Sequence, residues 1–324
     1  MKYRMFAKSV LGPKYAAKGW RCQDRSGKVN FGRTQVIAVA DGHGSSDCFR
    51  SEYGASLAVK TAFEQTMLYC RNTAEKSDAP VRFSDTGILN FKYAVWNEWR
   101  RLVKKNWDEY LKLHKTPGGG EVRYESVSEK YKARFGSSDK KVRDRYLYVA
   151  YGTTLLFAVA IESQILLLQI GDGTCVVLQK NGEYRTPVPP DEENFLNVTV
   201  SLCEDDANLK IRHAVLDCDV NSPTAPVAVF LSSDGVDDCY PVYRNEQYLY
   251  RLYSIVLENI LKVGFDATEA EIADHLLPGM TEKSSRDDIS LAYFIVQDRE
   301  MLREAYDNID TPFKPSAEGT SEKP

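Results

Sequence analysis

The sequence is poor in histidine, lacks paired cysteines and has no long apolar run. It contains 4 histidines among 324 residues, and its 7 cysteines include no Cys-x-x-Cys pair. This pattern argues against a structural zinc site or a disulfide framework and predicts reduced thiols. No apolar stretch is long enough to cross a membrane, and the amino-terminal residues lack the apolar core of a signal peptide. We therefore expect a cytoplasmic protein.

The charge balance excludes two further classes of partner. The formal net charge is -4, with 27% charged and 43% hydrophobic residues. A chain of this balance has no general attraction to nucleic acid or to an anionic membrane surface. Its apolar content is sufficient for a sizeable core.

Strands and helices follow one another in blocks, and this order predicts the fold class. Residues 1–35 show no clear period and are expected to be irregular. Helical periodicity covers residues 47–70, 86–114, 248–263 and 267–277. Apolar runs predict strands at 36–40, 146–161, 164–170, 174–178, 197–203, 211–216, 227–231 and 290–296. Because helices do not alternate regularly with strands, we expect an α+β protein with largely antiparallel sheets flanked by helices.

A single domain is expected over residues 1–309, with a basic insertion around residues 100–145. This stretch carries 14 Lys and Arg residues against 7 Asp and Glu residues. Interspersed charges of both signs favour a mobile, solvated helical and loop insertion, and docking of an acidic or phosphorylated partner is the alternative. Trp96, Trp99 and Trp107 recur at helical spacing and are expected in the core. The polar residues 310–324 are expected to form a disordered tail.

Acidic residues stand where four apolar segments end or begin. They are Asp41, Asp172, Asp234 and the neighbouring pair Asp287 and Asp288, and a glycine follows each of the first three. Each alone is typical of an ordinary turn. If the segments converge, the carboxylates repel one another unless cations bind between them. Oxygen ligands suit Mg²⁺ or Mn²⁺, and two such ions sharing a carboxylate trap an acidified water suited to attack on phosphorus.

Two other phosphatase chemistries fit the sequence poorly. Asp217 and Asp219 have the spacing of a haloacid-dehalogenase-type motif, but Asn221 stands where that motif requires Thr or Val. The motif also lies late in the chain, whereas it should open a Rossmann-like domain. The Cys-x₅-Arg signature of thiol phosphatases does not occur.

Six short motifs, in order, carry a resemblance to a known family. They are Cys-Gln-Asp at 22–24, Asp-Gly-His-Gly at 41–44, Gly-Thr-Thr at 152–154, Gly-Asp-Gly at 171–173, Ser-Asp-Gly-Val-Asp-Asp at 233–238 and Arg-Asp-Asp-Ile-Ser at 286–290. Together they resemble the type 2C, metal-dependent protein phosphatases, most closely the bacterial branch. The resemblance covers about residues 10–297. It implies an α-β-β-α sandwich with the metals in a cleft at one edge.

The resemblance also implies a set of metal-binding residues. The positions that match the family's ligands are Asp24, Asp41, Gly42, Asp172, Asp234 and Asp287. Asp41 would bridge two Mn²⁺ or Mg²⁺ ions, with the Gly42 carbonyl completing one shell. Asp234 would hold the second ion together with Asp287, and would form a weaker third site with Asp172.

The catalytic and phosphate-binding residues are implied in the same way. His43 matches the residue that protonates the leaving alkoxide, and Asp41 is the other residue assigned to catalysis. The family's phosphate-binding arginine is replaced here by Gly19. Arg21 or Lys18 is therefore expected to bind the substrate phosphate.

The implied activity is hydrolysis of phosphoserine and phosphothreonine in proteins by direct attack of a metal-bridging water on the phosphomonoester. The expected partners are a phosphoprotein substrate and a protein kinase or its targets. Asp288 stands where the family usually has Asn and is expected to add negative charge that changes metal affinity. A pseudophosphatase, using the same fold for scaffolding or regulation, is the alternative. Retention of Asp41, Asp234 and Asp287 favours catalysis.

Overall fold

Two five-stranded antiparallel sheets form the centre of the protein. The computed structural model describes residues 1–74, 81–116, 118–190 and 199–315. The strands in these ranges are β1 (Tyr3–Val10), β2 (Arg25–Phe31), β3 (Thr34–Ala40), β4 (Leu155–Ala160), β5 (Gln164–Ile170), β6 (Thr174–Gln179), β7 (Tyr184–Arg185), β8 (Arg212–Asp217), β9 (Pro226–Ser232) and β10 (Ile289–Val296). Sheet A has the order β1-β10-β9-β6-β7, and sheet B has the order β2-β3-β4-β5-β8.

Several central strands are buried on both faces, which explains their continuous apolar runs. In β3, Ile37 and Val39 face the core between the sheets, whereas Val36 and Ala38 face the helices outside sheet B. Every residue of β3, β4, β5, β9 and β10 is buried. Full burial of each large aliphatic side chain contributes about 1.5–3 kcal/mol, so these strands hold the two sheets together.

Helices cover the outer faces of both sheets. They are α1 (Pro13–Ala16), α2 (Ser51–Ala74), α3 (Asp85–His114), α4 (Glu129–Phe135), α5 (Lys140–Val149), α6 (Ala207–Lys210), α7 (Asp234–Asp237), α8 (Asn245–Val263), α9 (Phe265–Glu271), α10 (Leu277–Met280) and α11 (Arg299–Asp307). Short 3-10 helices span Val122–Ser126, Val242–Arg244 and Thr311–Phe313, and π-helical turns span Ile272–Leu276 and Thr281–Ser285.

The layer order is helix, sheet, sheet, helix. Helices α2 and α3 pack on sheet B, while α8 packs on sheet A, where the Tyr253 and Phe230 rings stack 4.1 Å apart. The predicted α+β sandwich of antiparallel sheets is confirmed. Within the described ranges, no helix combines the length and apolarity that a bilayer span requires.

The prediction of an irregular stretch over residues 1–35 is wrong. Strand β1 forms the edge of sheet A and pairs only with β10, from Tyr3 opposite Val296 to Val10 opposite Ile289. As an edge strand it buries only Tyr3 and Phe6, so its apolar alternation is weak. Strand β2 forms the edge of sheet B and is mostly polar.

Three other element boundaries differ from the prediction. Residues 146–149 belong to helix α5 rather than to a strand, and β4 begins only at Leu155. Residues 199–203 form no strand, and positions 197 and 198 lie outside the described residues. The helix expected from Asp47 begins at Ser51.

Part of the segment expected to form a disordered tail, residues 310–324, packs against the domain. Thr311–Phe313 forms a 3-10 turn, and the Phe313 ring packs 5.3 Å from the ring of Tyr250. The prediction is therefore wrong for this turn, because an aromatic side chain fixes it to α8. Residues 316–324 lie outside the described part of the chain.

The region 100–145 is helical, as expected, but it is not a solvated insertion. Trp107, Val127 and Phe135 are each at most 3% exposed and belong to the core outside sheet B. Trp99 is also buried in this core and donates its indole N–H to the Gly54 carbonyl at 3.1 Å. Apolar burial therefore overrides the solvated character that the charges suggested.

We predict that Trp107→Ala lowers the free energy of unfolding by about 3–5 kcal/mol, because it removes a buried indole from the core. Urea denaturation followed by circular dichroism measures this loss. Leu113→Ala is the matched control on the same helix, since Leu113 is 78% exposed. We expect it to change stability by less than about 0.5 kcal/mol. Equal effects of the two substitutions would contradict the burial of this region.

Candidate metal centre

The ends of strands from both sheets meet at one cavity. It has a volume of about 530 Å³ and is lined by Lys14, Tyr15, Asp41, His43, Gly44, Ser45, Cys48, Thr154, Asp172, Thr199, Asp234 and Asp287. Asp41 and Asp172 follow β3 and β5 of sheet B, whereas Asp234 follows β9 and Asp287 precedes β10 of sheet A. The convergence on which the metal hypothesis depends is thus present in the structure.

The backbone around Asp41 is fixed by the Gly-Thr-Thr motif. The Asp41 backbone N–H donates to the Thr154 hydroxyl at 2.9 Å. The Asp41 carbonyl accepts from the Thr154 backbone N–H and from the Thr153 hydroxyl, both at 2.8 Å. Gly42 then bridges to Thr153. These contacts tie the end of β3 to the start of β4 and leave the Asp41 carboxyl directed by a rigid turn.

Gly42 is required by the close approach of neighbouring backbone. A Cβ at this position would lie 2.7 Å from the Ser51 carbonyl oxygen and 2.8 Å from that of Gln23. Real side chains do not tolerate such contacts, so the position excludes every other residue. The small residue lets the strand end, the Gln23 backbone and the start of α2 meet beside the cavity.

The carboxyl groups are held in an unfavourable electrostatic environment. Burial raises the pKa of Asp41 well above its ordinary value, and the negative charges of Asp24 and Asp234 raise it further. Burial also raises the pKa of Asp234, and the negative charges of Asp172 and Asp287 raise it further. Burial raises the pKa of Asp24 to about 8, although a hydrogen bond from the Ser233 hydroxyl (2.7 Å) opposes the shift. These shifts indicate negative charge that lacks sufficient compensation.

The donor set suits a hard divalent cation. Among the residues that the structure describes, no three acidic, histidine or cysteine side chains are already close enough together to hold a metal ion. The carboxyls instead contact other groups: Asp287 pairs with Lys14 at 2.8 Å, and Asp172 accepts from the Thr199 hydroxyl. The carboxylates of Asp41, Asp172, Asp234 and Asp287 nevertheless line one cavity. Their oxygens are the ligands that Mg²⁺ and Mn²⁺ prefer, so the residues present fit such ions.

His43 lines the same cavity, and its backbone N–H donates to the Gly152 carbonyl at 3.1 Å. Burial lowers the pKa of its imidazole, whereas the charges of Asp172 and Glu204 favour the protonated form. A cationic imidazole beside the acids is therefore stabilised by their charge and opposed by desolvation.

The two residues predicted to bind phosphate do not line the cavity. Arg21 is exposed and donates to the Tyr53 hydroxyl at 3.3 Å, and the Lys18 ammonium lies 4.5 Å from the Trp20 ring centre. Lys14 is the cation among the lining residues. Sequence reasoning missed it because residues 1–35 were interpreted as irregular, and only long-range packing brings α1 to this edge.

Asp288 has a structural role that was not predicted. Its carboxylate is 3% exposed and accepts the backbone N–H groups of Gly12 (2.7 Å) and Gln23 (2.5 Å). These bonds do not remove its charge, which adds to the effect of burial in raising the pKa of Asp24, so the expected change in metal affinity stays a prediction. An Asn at this position has one acceptor oxygen and could not accept both bonds in this way.

Two further acids lie beside the cluster. Asp238 directly follows α7 and is largely exposed. Asp237 was not predicted; it hydrogen bonds to the Thr174 hydroxyl, and burial raises its pKa to about 7. No signal in the sequence separates Asp237 from its neighbour, because consecutive acids on a one-turn helix differ only in direction.

The fold and this cavity define the chain as an α+β sandwich with a carboxylate-lined centre at one end. The family model described as protein phosphatase 2C matches residues 11–276. The chain therefore belongs to the protein phosphatase 2C family, which confirms the family predicted from the motifs. Membership supports a phosphatase function.

Solved structures share the fold. Stp1 from Staphylococcus aureus, a serine/threonine phosphatase, is 11% identical with a TM-score of 0.50 over 92% of this chain and 96% of that chain. The catalytic domain of the phosphatase PstP in complex with 2 manganese ions is 14% identical to this chain. The match has a TM-score of 0.50 and covers 91% of this chain and 99% of that domain. A C. elegans sex determining protein is also 14% identical, with a TM-score of 0.54, and the match covers 94% of this chain and 68% of that chain.

At these identities the likeness establishes the fold alone. Comparison with curated protein sequences gave no significant match.

We predict that metal-free protein loses thermal stability as the pH rises from about 4 to about 8. The pKa of Asp24 is raised from 3.8 to about 8, so the folded state keeps a proton that the unfolded chain releases. The stabilisation that this carboxyl contributes is complete below its pKa in the unfolded chain. It is lost as the pH rises toward its pKa in the folded protein. Melting temperatures in EDTA across this range measure the effect.

Asp24→Asn should weaken that pH dependence, because an amide has no proton to lose, whereas the raised pKa values of Asp41, Asp234 and Asp237 keep part of the slope. Asp307→Asn is the control, since Asp307 is exposed and lies at the end of α11. We expect the control to keep the wild-type slope. A slope that Asp24→Asn leaves unchanged would contradict the buried, protonated state of Asp24.

Proposed function

We propose that the protein is a metal-dependent protein serine/threonine phosphatase that hydrolyses phosphomonoesters. One observation carries the proposal: Asp41, Asp172, Asp234 and Asp287, delivered by four strands of two sheets, line a single cavity in a chain of the protein phosphatase 2C family. Buried acids without enough compensating charge are typical of sites built for cations.

These four acids, together with Asp24 and the Gly42 carbonyl, are the proposed metal ligands. The residues that would hold Mn²⁺ or Mg²⁺ are Asp24, Asp41, Gly42, Asp172, Asp234 and Asp287. Two ions, with a weaker third, are proposed, and PstP with its 2 manganese ions offers a precedent of the same fold. The chemistry that bound ions supply is activation of a bridging water for direct attack on phosphorus, together with neutralisation of phosphate charge.

The chain's own residues would position the substrate and move a proton. His43 lines the cavity and is proposed to donate the proton that the leaving alkoxide of serine or threonine needs. Asp41 and Asp234 line the cavity from the two sheets, and their charge favours a cation between them. Lys14 faces the same space with a flexible ammonium that can meet a phosphate oxygen.

The proposed substrate is a phosphoserine or phosphothreonine protein, and the proposed partner is a protein kinase or its targets. Location in the cytoplasm stays a prediction. The alternative of a pseudophosphatase gains no support from the cavity, because Asp41, Asp172, Asp234 and Asp287 all line it.

We expect the purified protein to hydrolyse p-nitrophenyl phosphate and a phosphothreonine peptide with added Mn²⁺ or Mg²⁺, and to lose this activity in EDTA. Asp234→Asn keeps the side-chain shape but removes one ligand charge, so it should abolish turnover. It should also reduce the rise in melting temperature on adding Mn²⁺, because ligand stabilisation follows affinity.

Asp266→Asn, on an exposed acid of α9, is the matched control and should behave as wild type. Full activity of the wild type in excess chelator would contradict metal dependence. A full Mn²⁺-induced melting shift in Asp234→Asn would remove Asp234 from the ligand set.

His43→Ala should lower turnover of a phosphoserine peptide by about 100-fold or more, the range that general acid catalysis supplies. It should affect p-nitrophenyl phosphate much less, because a nitrophenolate leaves without protonation. Initial rates on both substrates at saturating Mn²⁺ measure the difference. Equal losses on the two substrates would show that His43 is not the general acid.

A further inference from the structure

Arg123 is a buried cation that reaches the candidate centre from the region first expected to be solvated. It lies in the 3-10 turn Val122–Ser126 and is 4% exposed. One guanidinium nitrogen donates to the Ser45 carbonyl at 3.0 Å and to the His43 carbonyl at 3.4 Å. The other donates to the Ser51 hydroxyl at 2.8 Å and to the Gln23 side chain.

These contacts connect three parts of the chain that meet at the cavity. Gln23 directly precedes Asp24, residues 43–45 directly follow the Asp41–Gly42 turn, and Ser51 begins α2. The Ser51 hydroxyl also donates to the Gln23 side chain at 2.6 Å, so the three groups form one buried network. A planar guanidinium suits this arrangement because its donors point in fixed directions toward several acceptors.

The turn that carries Arg123 is itself firmly seated. Glu121 pairs with Arg50, which is 3% exposed and donates to the Tyr151 hydroxyl at 2.7 Å. The Tyr124 ring packs edge-on against Phe49 at 4.9 Å. These contacts fix the backbone on both sides of Arg123, so its guanidinium acts as a rigid support.

An ion pair and an aromatic ring also hold the Arg123 guanidinium in place. Its guanidinium lies 3.5 Å from the buried carboxylate of Glu52 and 4.7 Å from the centre of the Trp20 ring. A buried arginine with a partner charge and an aromatic face is retained in one geometry, because movement would leave both charges unpaired.

We propose that Arg123 is a positioning residue that holds the loop of residues 43–45, and with it the His43 imidazole, against the segment carrying Asp24. Nothing in the contacts of Arg123 reaches the acids that line the cavity, so its effect passes through the loop. The consequence for catalysis rests on the proposed phosphatase function, whereas the effect on the His43 environment does not.

Arg123→Met keeps the length of the side chain and removes its hydrogen bonds. We expect turnover of a phosphoserine peptide to fall roughly 10- to 100-fold, the cost of misplacing a catalytic group by about an ångström. The KM and the turnover of p-nitrophenyl phosphate should change much less, because that substrate does not need His43. Arg134→Met is the matched control, since Arg134 stacks on Tyr146 and does not line the cavity.

A second measurement does not depend on activity. The chain has 4 histidines, so the imidazole resonances of a histidine-labelled sample can be assigned by substitution. In metal-free Arg123→Met we expect the His43 resonance to shift or broaden, while those of His213 and His275 stay in place. Arg134→Met should leave all three unchanged.

Arg123→Lys is used in addition, and in place of Arg123→Met if that variant does not fold. An ammonium cannot serve both carbonyls, Ser51 and Gln23 together, so the same changes are expected at smaller size. An unmoved His43 resonance in the folded variants, or equal losses on both substrates, would overturn the proposal. A wild type inactive on both substrates would refute the phosphatase proposal, and the His43 resonance would still decide the role of Arg123.

Discussion

Repulsion between buried carboxylates at one end of the sandwich is the constraint on which the rest of the structure depends. Asp41 comes from sheet B and Asp234 from sheet A, yet both line one cavity, where burial and neighbouring charges that include Asp234 raise the pKa of Asp41. The sheets can hold these acids together because their central strands are buried on both faces, and each fully buried aliphatic side chain contributes about 1.5–3 kcal/mol. Apolar packing thus supplies the force that keeps like charges close, and a cation between them would relieve the strain.

The surrounding residues limit that repulsion without cancelling it. Lys14 pairs with Asp287, and the Ser233 hydroxyl donates to Asp24. The Asp288 carboxylate accepts two backbone N–H groups, and these hydrogen bonds link the turn that carries Lys14 to the segment before Asp24. The raised pKa values of Asp24 and Asp41 indicate that this compensation is incomplete. The cavity therefore favours added positive charge, which is the physical basis of the proposed metal dependence.

The strand-end acids could be predicted from the sequence because their signal is local. An apolar run followed by Asp-Gly marks both the buried strand and the polar turn, as at Asp41 and Asp234. Strand β1 could not be predicted, because an edge strand shows little alternation. Lys14 and Arg123 were missed for a different reason: only tertiary packing brings Lys14 to the cavity and Arg123 to the loop of residues 43–45. The charges of region 100–145 misled the prediction, since buried aromatic side chains such as Trp107 decide its packing.

Function in this account depends on cations binding between acids of the two sheets. Anomalous diffraction at the manganese edge, from crystals grown with Mn²⁺, tests this most directly. We expect anomalous peaks inside the cavity, ligated by Asp41 and Asp234, with Asp287 released from Lys14 to join them. A cavity without a peak, in which Lys14 still pairs with Asp287 at full Mn²⁺ concentration, would contradict the metal centre.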